Sequence, residues 1–179
     1  KVYGRKNLKT KGRLILVCNH VSLMDPVLIA SVFGRRIQFM AKNELFKNRP
    51  FAWLITALGA FPVRRGAGDL ASIRYAMRIL HNEMVLGIFP EGTRIKTGEI
   101  GVFEPGMAMM ALKTHSKVLP IYIDGNYGLF RRVKVAVGEI IDLNAYTGDQ
   151  HTPAAVDQAS EYLRTRMELL KQSIQRKKK

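Results

Sequence analysis

Short apolar runs alternate along this chain with longer amphipathic stretches, and the alternation predicts most of its elements. Leu14-Ile-Leu-Val-Cys18 is unbroken apolar sequence of strand length, the pattern of a strand buried on both faces. Residues 37–40, 84–89, 118–123 and 133–141 are further strand candidates. Helices are expected between them. Asp25-Pro26 reads as a cap followed by proline in the first turn, opening a helix that runs to about Phe33. Asp69 is placed to cap a helix over 70–82, where Leu70, Ile73, Met77 and Leu80 share one face. Pro105 opens another through Leu112. Thr152-Pro153 introduces a last one, with Val156, Ala159, Leu163, Met167 and Leu170 on one side. Residues 42–58 mix charge with large apolar groups.

Strands alternating with helices argue for one α/β domain, a central mixed or largely parallel sheet flanked by helices. Its expected parts are a basic lead-in over 1–13, a motif-bearing core over 14–140, a C-terminal helix over 153–174 and a frayed basic tail at 175–179. The length suits one sizeable core.

Charge changes this picture more than composition does. The chain carries 29 Lys and Arg against 14 Asp and Glu, a net charge of +15. Such an excess speaks to partners: nucleic acid, an anionic membrane, phosphorylated substrates or an acidic protein. The single cysteine, Cys18, excludes an internal disulfide and reads as a small core residue. No stretch has the roughly 18 apolar residues of a membrane-spanning helix. The nearest, 51–63, contains Gly59 and Pro62 and runs into Arg64-Arg65. The chain starts at Lys1 without a methionine, which leaves room for a preceding membrane-associating segment.

Three stretches could carry chemistry. In Asn19-His-Val-Ser-Leu-Met-Asp25 a histidine follows the buried strand, with an aspartate five places on. On one helix these side chains would stand about 140° apart. They can meet if His20 lies in the loop and Asp25 at the mouth of the next helix, giving a base and its orienting carboxylate. A core histidine followed by a helix cap fits the same residues. Phe89-Pro-Glu-Gly-Thr-Arg94 also follows a strand, where α/β sheets bind ligands. There Gly92 permits close backbone approach, Thr93 offers a hydroxyl and Arg94 a fork for phosphate or carboxylate, with Glu91 beside them. The alternative is an ordinary turn with a solvated ion pair. Residues 59–65, Gly-Ala-Phe-Pro-Val-Arg-Arg, deliver two arginines that suit a phosphate anchor or a solvated strand end.

In this order, and followed by Val118-Leu-Pro-Ile-Tyr-Ile123, these stretches resemble the four sequence blocks of the glycerophospholipid acyltransferase family, its bacterial 1-acylglycerol-3-phosphate branch above all. The resemblance covers roughly residues 14–140. It implies that His20 is the general base on the acceptor hydroxyl and that Asp25 orients it. Arg64 or Arg65, with Glu91, Gly92, Thr93 and Arg94, would shape the acceptor phosphate site, and Pro120 would belong to the acyl-donor or structural side. The reaction implied is direct acyl transfer from a thioester, acyl-CoA or an acyl carrier protein, to the sn-2 hydroxyl of lysophosphatidic acid, without an acyl-enzyme. No Gly-x-Ser-x-Gly elbow is present, and Ser22 reads as a turn hydroxyl. A thioester is already activated, so no metal and no cofactor are expected. Backbone N–H groups near 19–21 or Gly92 are candidates for the oxyanion.

The chain departs from the family at Phe103-Glu-Pro-Gly106, where relatives often carry lysine and Glu104 reverses the charge. Relatives also usually carry an N-terminal helical segment ahead of the first block. Here the 18 residues before Asn19 are not apolar, so that segment is either removed or replaced. The expected location is the cytoplasmic face of the cell membrane, peripheral or monotopic. Residues 1–13, Arg35, Arg36, Lys47 and Arg49, with Phe46, Phe51 and Trp53, would form a basic-aromatic docking face for an anionic membrane. Other acceptors, glycerol 3-phosphate or another lysophospholipid, remain open. Outside the class stand a nucleic-acid-binding module and an inactive lipid-binding relative. No nucleic-acid partner is expected, because zinc spacing, an RNP-like strand and a helix-turn-helix are all missing from the sequence.

Overall fold

The computed structural model describes residues 1–63, 69–95, 97, 99–125, 127–128 and 132–176. Among these, seven strands form one sheet: β1 (Val2–Tyr3), β2 (Leu14–Cys18), β3 (Ile37–Lys42), β4 (Ala60–Val63), β5 (Val85–Ile88), β6 (Lys117–Asp124) and β7 (Lys134–Val137). The order across the sheet is β1-β7-β6-β2-β5-β3-β4. β2 is central, parallel to β5 on one side and to β6 on the other. β7 runs antiparallel to β6, so the sheet is mostly parallel and mixed at one edge.

Every residue of β2 is buried, as its unbroken apolar sequence requires of a strand covered on both faces. Ile15 and Val17 pack with the helices α3 (Leu70–His81), α4 (Pro105–Thr114) and α6 (Pro153–Arg176). Leu14, Leu16 and Cys18 pack on the other face with Ile29 of α1 (Asp25–Val32) and with Phe33, its C-cap. The chain leaving β2 therefore goes to one face and the chain leaving its neighbour β5 goes to the other. Two adjacent strands whose connections diverge in this way open a crevice at their carboxyl ends. Both motif loops, 19–24 and 89–95, lie there.

Two of the expected caps form. Asp69 accepts the N–H of Ser72 at 3.1 Å, and Thr152 Oγ1 that of Ala155 at 3.2 Å. Residues 42–58 resolve into a 3-10 turn, Asn43–Phe46, and α2 (Arg49–Ala57), opened by Asn48, whose side chain accepts from Phe51 N. The strand expected over 133–141 ends at Val137. Gly138 turns away, and Ile141 pairs alone with Val118. A fifth helix, α5 (Leu143–Thr147), follows. The basic lead-in is more than a charged arm: Val2 and Tyr3 add an edge strand to β7, and Asn7 Nδ2 donates to Gly138 O at 2.7 Å. The tail expected at 175–179 is helical to Arg176, and residues 177–179 fall outside the described residues.

Candidate active site

The loop after β2 is fastened before it carries anything. Asn19 is buried, and its amide accepts from Ile123 N at 2.7 Å and donates to Ile123 O at 3.0 Å, continuing the β2–β6 ladder with a side chain. His20 comes next. Its carbonyl accepts from Ile95 N at 2.8 Å, which ties the first motif loop to the third. Its ring stacks on Phe89 with centroids 4.1 Å apart, and Phe89 lies 6.1 Å from Phe39 beneath it. Gly87 makes that arrangement possible, because a Cβ there would come within 2.4 Å of the Phe39 ring.

His20 Nδ1 lies 2.8 Å from Asp25 Oδ2. Asp25 is the first residue of α1 and not its cap: Met24 holds the cap position and makes no side-chain bond there. The Asp25 carboxylate turns back into the loop instead. Oδ2 also accepts the N–H groups of Val21 at 2.7 Å and Ser22 at 2.8 Å, and Oδ1 accepts the hydroxyl of Tyr127 at 2.7 Å. Four donors satisfy a carboxylate that is fully buried. Burial, reinforced by the bond to Asp25, pushes the Tyr127 phenol pKa up, so Tyr127 stays a donor. With Nδ1–H directed at the Asp25 carboxylate, the lone pair of the ring is on Nε2.

The third loop divides its residues between bracing and lining. Glu91 is buried beneath the loop, where its two oxygens accept from His20 N at 3.4 Å and Gly101 N at 3.2 Å. Burial pushes its carboxyl pKa up, against the pull of those bonds. Gly92 has φ +61° and donates to Phe89 O at 3.0 Å, closing the turn. Thr93 and Arg94 reach the wall of a cavity of about 410 Å³. His20 lines the same cavity, with Met24 and Val27 of the first loop and α1, Phe39 and Lys42 of β3, Leu54 of α2 and Leu58 at its C-cap. Of the expected phosphate-site residues, Thr93 and Arg94 thus stand by His20, Glu91 and Gly92 stand behind them, and Arg64 and Arg65 lie outside the described residues.

Other expectations change. The N–H groups of His20, Val21 and Gly92 are engaged internally, so they are not free to serve an oxyanion. Ser22 Oγ accepts from Met24 N at 3.2 Å, as a turn hydroxyl does. Burial pushes the Cys18 thiol pKa well up, which suits a core residue. The expected docking face is also divided. Arg35 donates to Gly12 O at 2.7 Å and Glu83 O at 2.9 Å, at the amino ends of the strands and away from His20. Trp53 (75% exposed), Leu54, Leu23 and Met24 are exposed near the cavity. Among the described residues, no helix is long and apolar enough to cross a membrane.

Residues 1–124 match the family model described as Acyltransferase. The chain belongs to that acyltransferase family. It is 30% identical over 131 residues to the 1-acyl-sn-glycerol-3-phosphate acyltransferase of Borreliella burgdorferi, covering 72% of this chain and 52% of that one. It is 34% identical over 137 residues to the enzyme of the same name from Streptococcus pneumoniae, covering 73% and 50%. It thus spans about half the length of these curated relatives. The crystal structure of the 1-acyl-sn-glycerophosphate (LPA) acyltransferase PlsC from Thermotoga maritima superposes with a TM-score of 0.72 at 27% identity, covering 96% of this chain and 70% of that one. Within this acyltransferase fold, sequence reasoning missed Tyr127, 102 residues from Asp25 and just past the family match, and Phe89, whose ring holds His20.

Proposed function

We propose that the chain transfers a fatty acyl group from an acyl thioester, acyl-CoA or an acylated carrier protein, to the sn-2 hydroxyl of lysophosphatidic acid. One observation carries this reading: His20, held from behind by the buried Asp25, sits on the wall of an apolar cavity that also presents Lys42, Thr93 and Arg94. His20 Nε2 takes the acceptor hydroxyl proton as the oxygen attacks the thioester carbonyl, and Asp25 stabilises the imidazolium. A positioned base of this kind contributes roughly two to four orders of magnitude. The tetrahedral intermediate collapses with loss of the thiolate, which takes up the proton, and no acyl-enzyme forms. Arg94 and Lys42 suit the acceptor phosphate, and the apolar wall suits an acyl chain. The thioester is activated enough that the reaction calls on no further cofactor.

The acceptor resides in a bilayer. Trp53, Leu54, Leu23 and Met24, with Lys47 and Arg49 on or before α2, suit docking on the anionic cytoplasmic face of a membrane. The test compares lysophosphatidic acid, glycerol 3-phosphate and other lysophospholipids as acceptors, with both donor types, in anionic vesicles. The expected result is fastest transfer to lysophosphatidic acid with sequential kinetics. Preference for glycerol 3-phosphate would overturn the acceptor, a trapped acyl-enzyme would overturn the mechanism, and transfer to none would overturn the reading.

A further inference from the structure

At the opposite end of the sheet, three residues far apart in sequence converge. His115 ends α4, just before β6. Asp149 and His151 lie between α5 and α6. His115 Nδ1 is 3.6 Å and His151 Nε2 is 3.7 Å from Asp149 Oδ1, and all three atoms lie within 4.8 Å of one another. The imidazoles stand edge to face, centroids 5.8 Å apart, so that these nitrogens turn toward the same carboxylate oxygen. Two of the chain's four histidines are gathered here.

The two histidine–Asp149 spacings are too long for hydrogen bonds. They are close to the edge of a coordination polyhedron: ligand bonds of about 2.0–2.1 Å place tetrahedral ligands about 3.3 Å apart. We propose that His115, Asp149 and His151 bind a first-row divalent transition metal, with zinc as the reference ion. Two imidazoles and one carboxylate suit zinc, copper or nickel, and exposure leaves the remaining positions to water.

The backbone holds the set in place. His115 is the C-cap of α4 at φ +49°, with its N–H on Leu112 O at 3.2 Å. Asp149 follows the end of α5 at φ +61°, with its N–H on Asn144 O at 2.9 Å. Both sit in a left-handed conformation fixed by a helix end, so the ligand positions are not those of free surface side chains. Asn144 stands behind them. With its amide nitrogen facing the cluster, that nitrogen lies 3.1 Å from Asp149 Oδ1, 3.2 Å from Leu112 O and 3.2 Å from His151 Nε2, and a metal on His151 would take the place of that last contact. A second residue that orients a ligand carboxylate is the usual companion of a metal site. Bound metal would join the end of α4 to the α5–α6 connection, the packing that covers one face of the sheet.

The test is calorimetric titration of the untagged chain with Zn²⁺, together with the visible spectrum of its Co²⁺ complex. Wild type should bind one ion at this site and show a cobalt d–d band. His151→Ala and His115→Asn, the latter suited to the left-handed conformation, should bind about tenfold more weakly or worse and lose the band. Their metal-free melting should remain cooperative. Zn²⁺ should raise the Tm of wild type but not of these variants. His20→Ala and His81→Ala should bind as wild type does. Absence of a saturable site in wild type, or equal affinity in His151→Ala, would overturn the proposal. So would loss of binding in His20→Ala alone.

Discussion

Asp25→Asn removes a charge while keeping the shape of the most heavily bonded side chain at the site. The amide oxygen takes the place of Oδ2, where His20 Nδ1, Val21 N and Ser22 N converge. The amide nitrogen then meets the Tyr127 oxygen, which can turn to accept. The loop therefore stays tied. Four charge-assisted bonds become neutral ones of about half the strength, a stability loss of about 2–4 kcal/mol. The chemical consequence is larger. An asparagine does not stabilise the imidazolium that forms when His20 takes the acceptor proton. By comparison with the orienting aspartate of a Ser–His–Asp triad, kcat should fall about 10³–10⁴-fold, or about 4–5.5 kcal/mol on the barrier. KM should hold for both substrates, because Asp25 is fully buried and touches neither. Asp25→Ala differs, since it strands two backbone N–H groups and a phenol and should cost about 3–5 kcal/mol of stability. The assay is thiol release from acyl-CoA with lysophosphatidic acid in vesicles, with Tm measured alongside. A folded Asp25→Asn enzyme with kcat within tenfold of wild type would refute this reasoning.

Three further outcomes follow from the same geometry. Tyr127→Phe deletes a bond to a carboxylate of about 1.5–3 kcal/mol, and kcat should drop about tenfold or more at unchanged KM; a lower Tm with unchanged kcat would make Tyr127 purely structural. Gly87→Ala drives a Cβ to within 2.4 Å of Phe39, under Phe89 and His20, and should cost about 1–3 kcal/mol and lower kcat, read by thermal melting and turnover. Glu91 has a folded pKa above its unfolded value, so its contribution to stability is full below the unfolded pKa and lost as pH rises through the folded one. Denaturant titrations of wild type and Glu91→Gln should therefore show the difference moving in favour of wild type on acidification; a difference independent of pH would contradict the assigned burial.

The sheet was legible because β2 is apolar at every position and because Asp69 and Thr152 signal helix starts through local chemistry. The short edge strand Val2–Tyr3 was not, since two residues carry no period and their pairing with Val135 and Ala136 is set by tertiary contact. The sequence allows His20 and Asp25 to pair, but only the fold separates orienter from cap, because Asp-Pro at a helix start looks the same either way. Glu91 shows the converse. The family resemblance implied a part in the phosphate site, whereas its buried carboxylate accepts from the backbone of His20 and Gly101. Tyr127 and the His115–Asp149–His151 cluster gave no local signal, because contacts across 34 to 102 residues exist only once the sheet has formed.

The most direct test of His20 as the base is single-turnover acyl transfer to lysophosphatidic acid in anionic vesicles, wild type against His20→Ala, with Tm confirming the fold of each. The account expects product from wild type and a rate at least about 10²-fold lower from a folded His20→Ala chain. Equal rates from the two would contradict it.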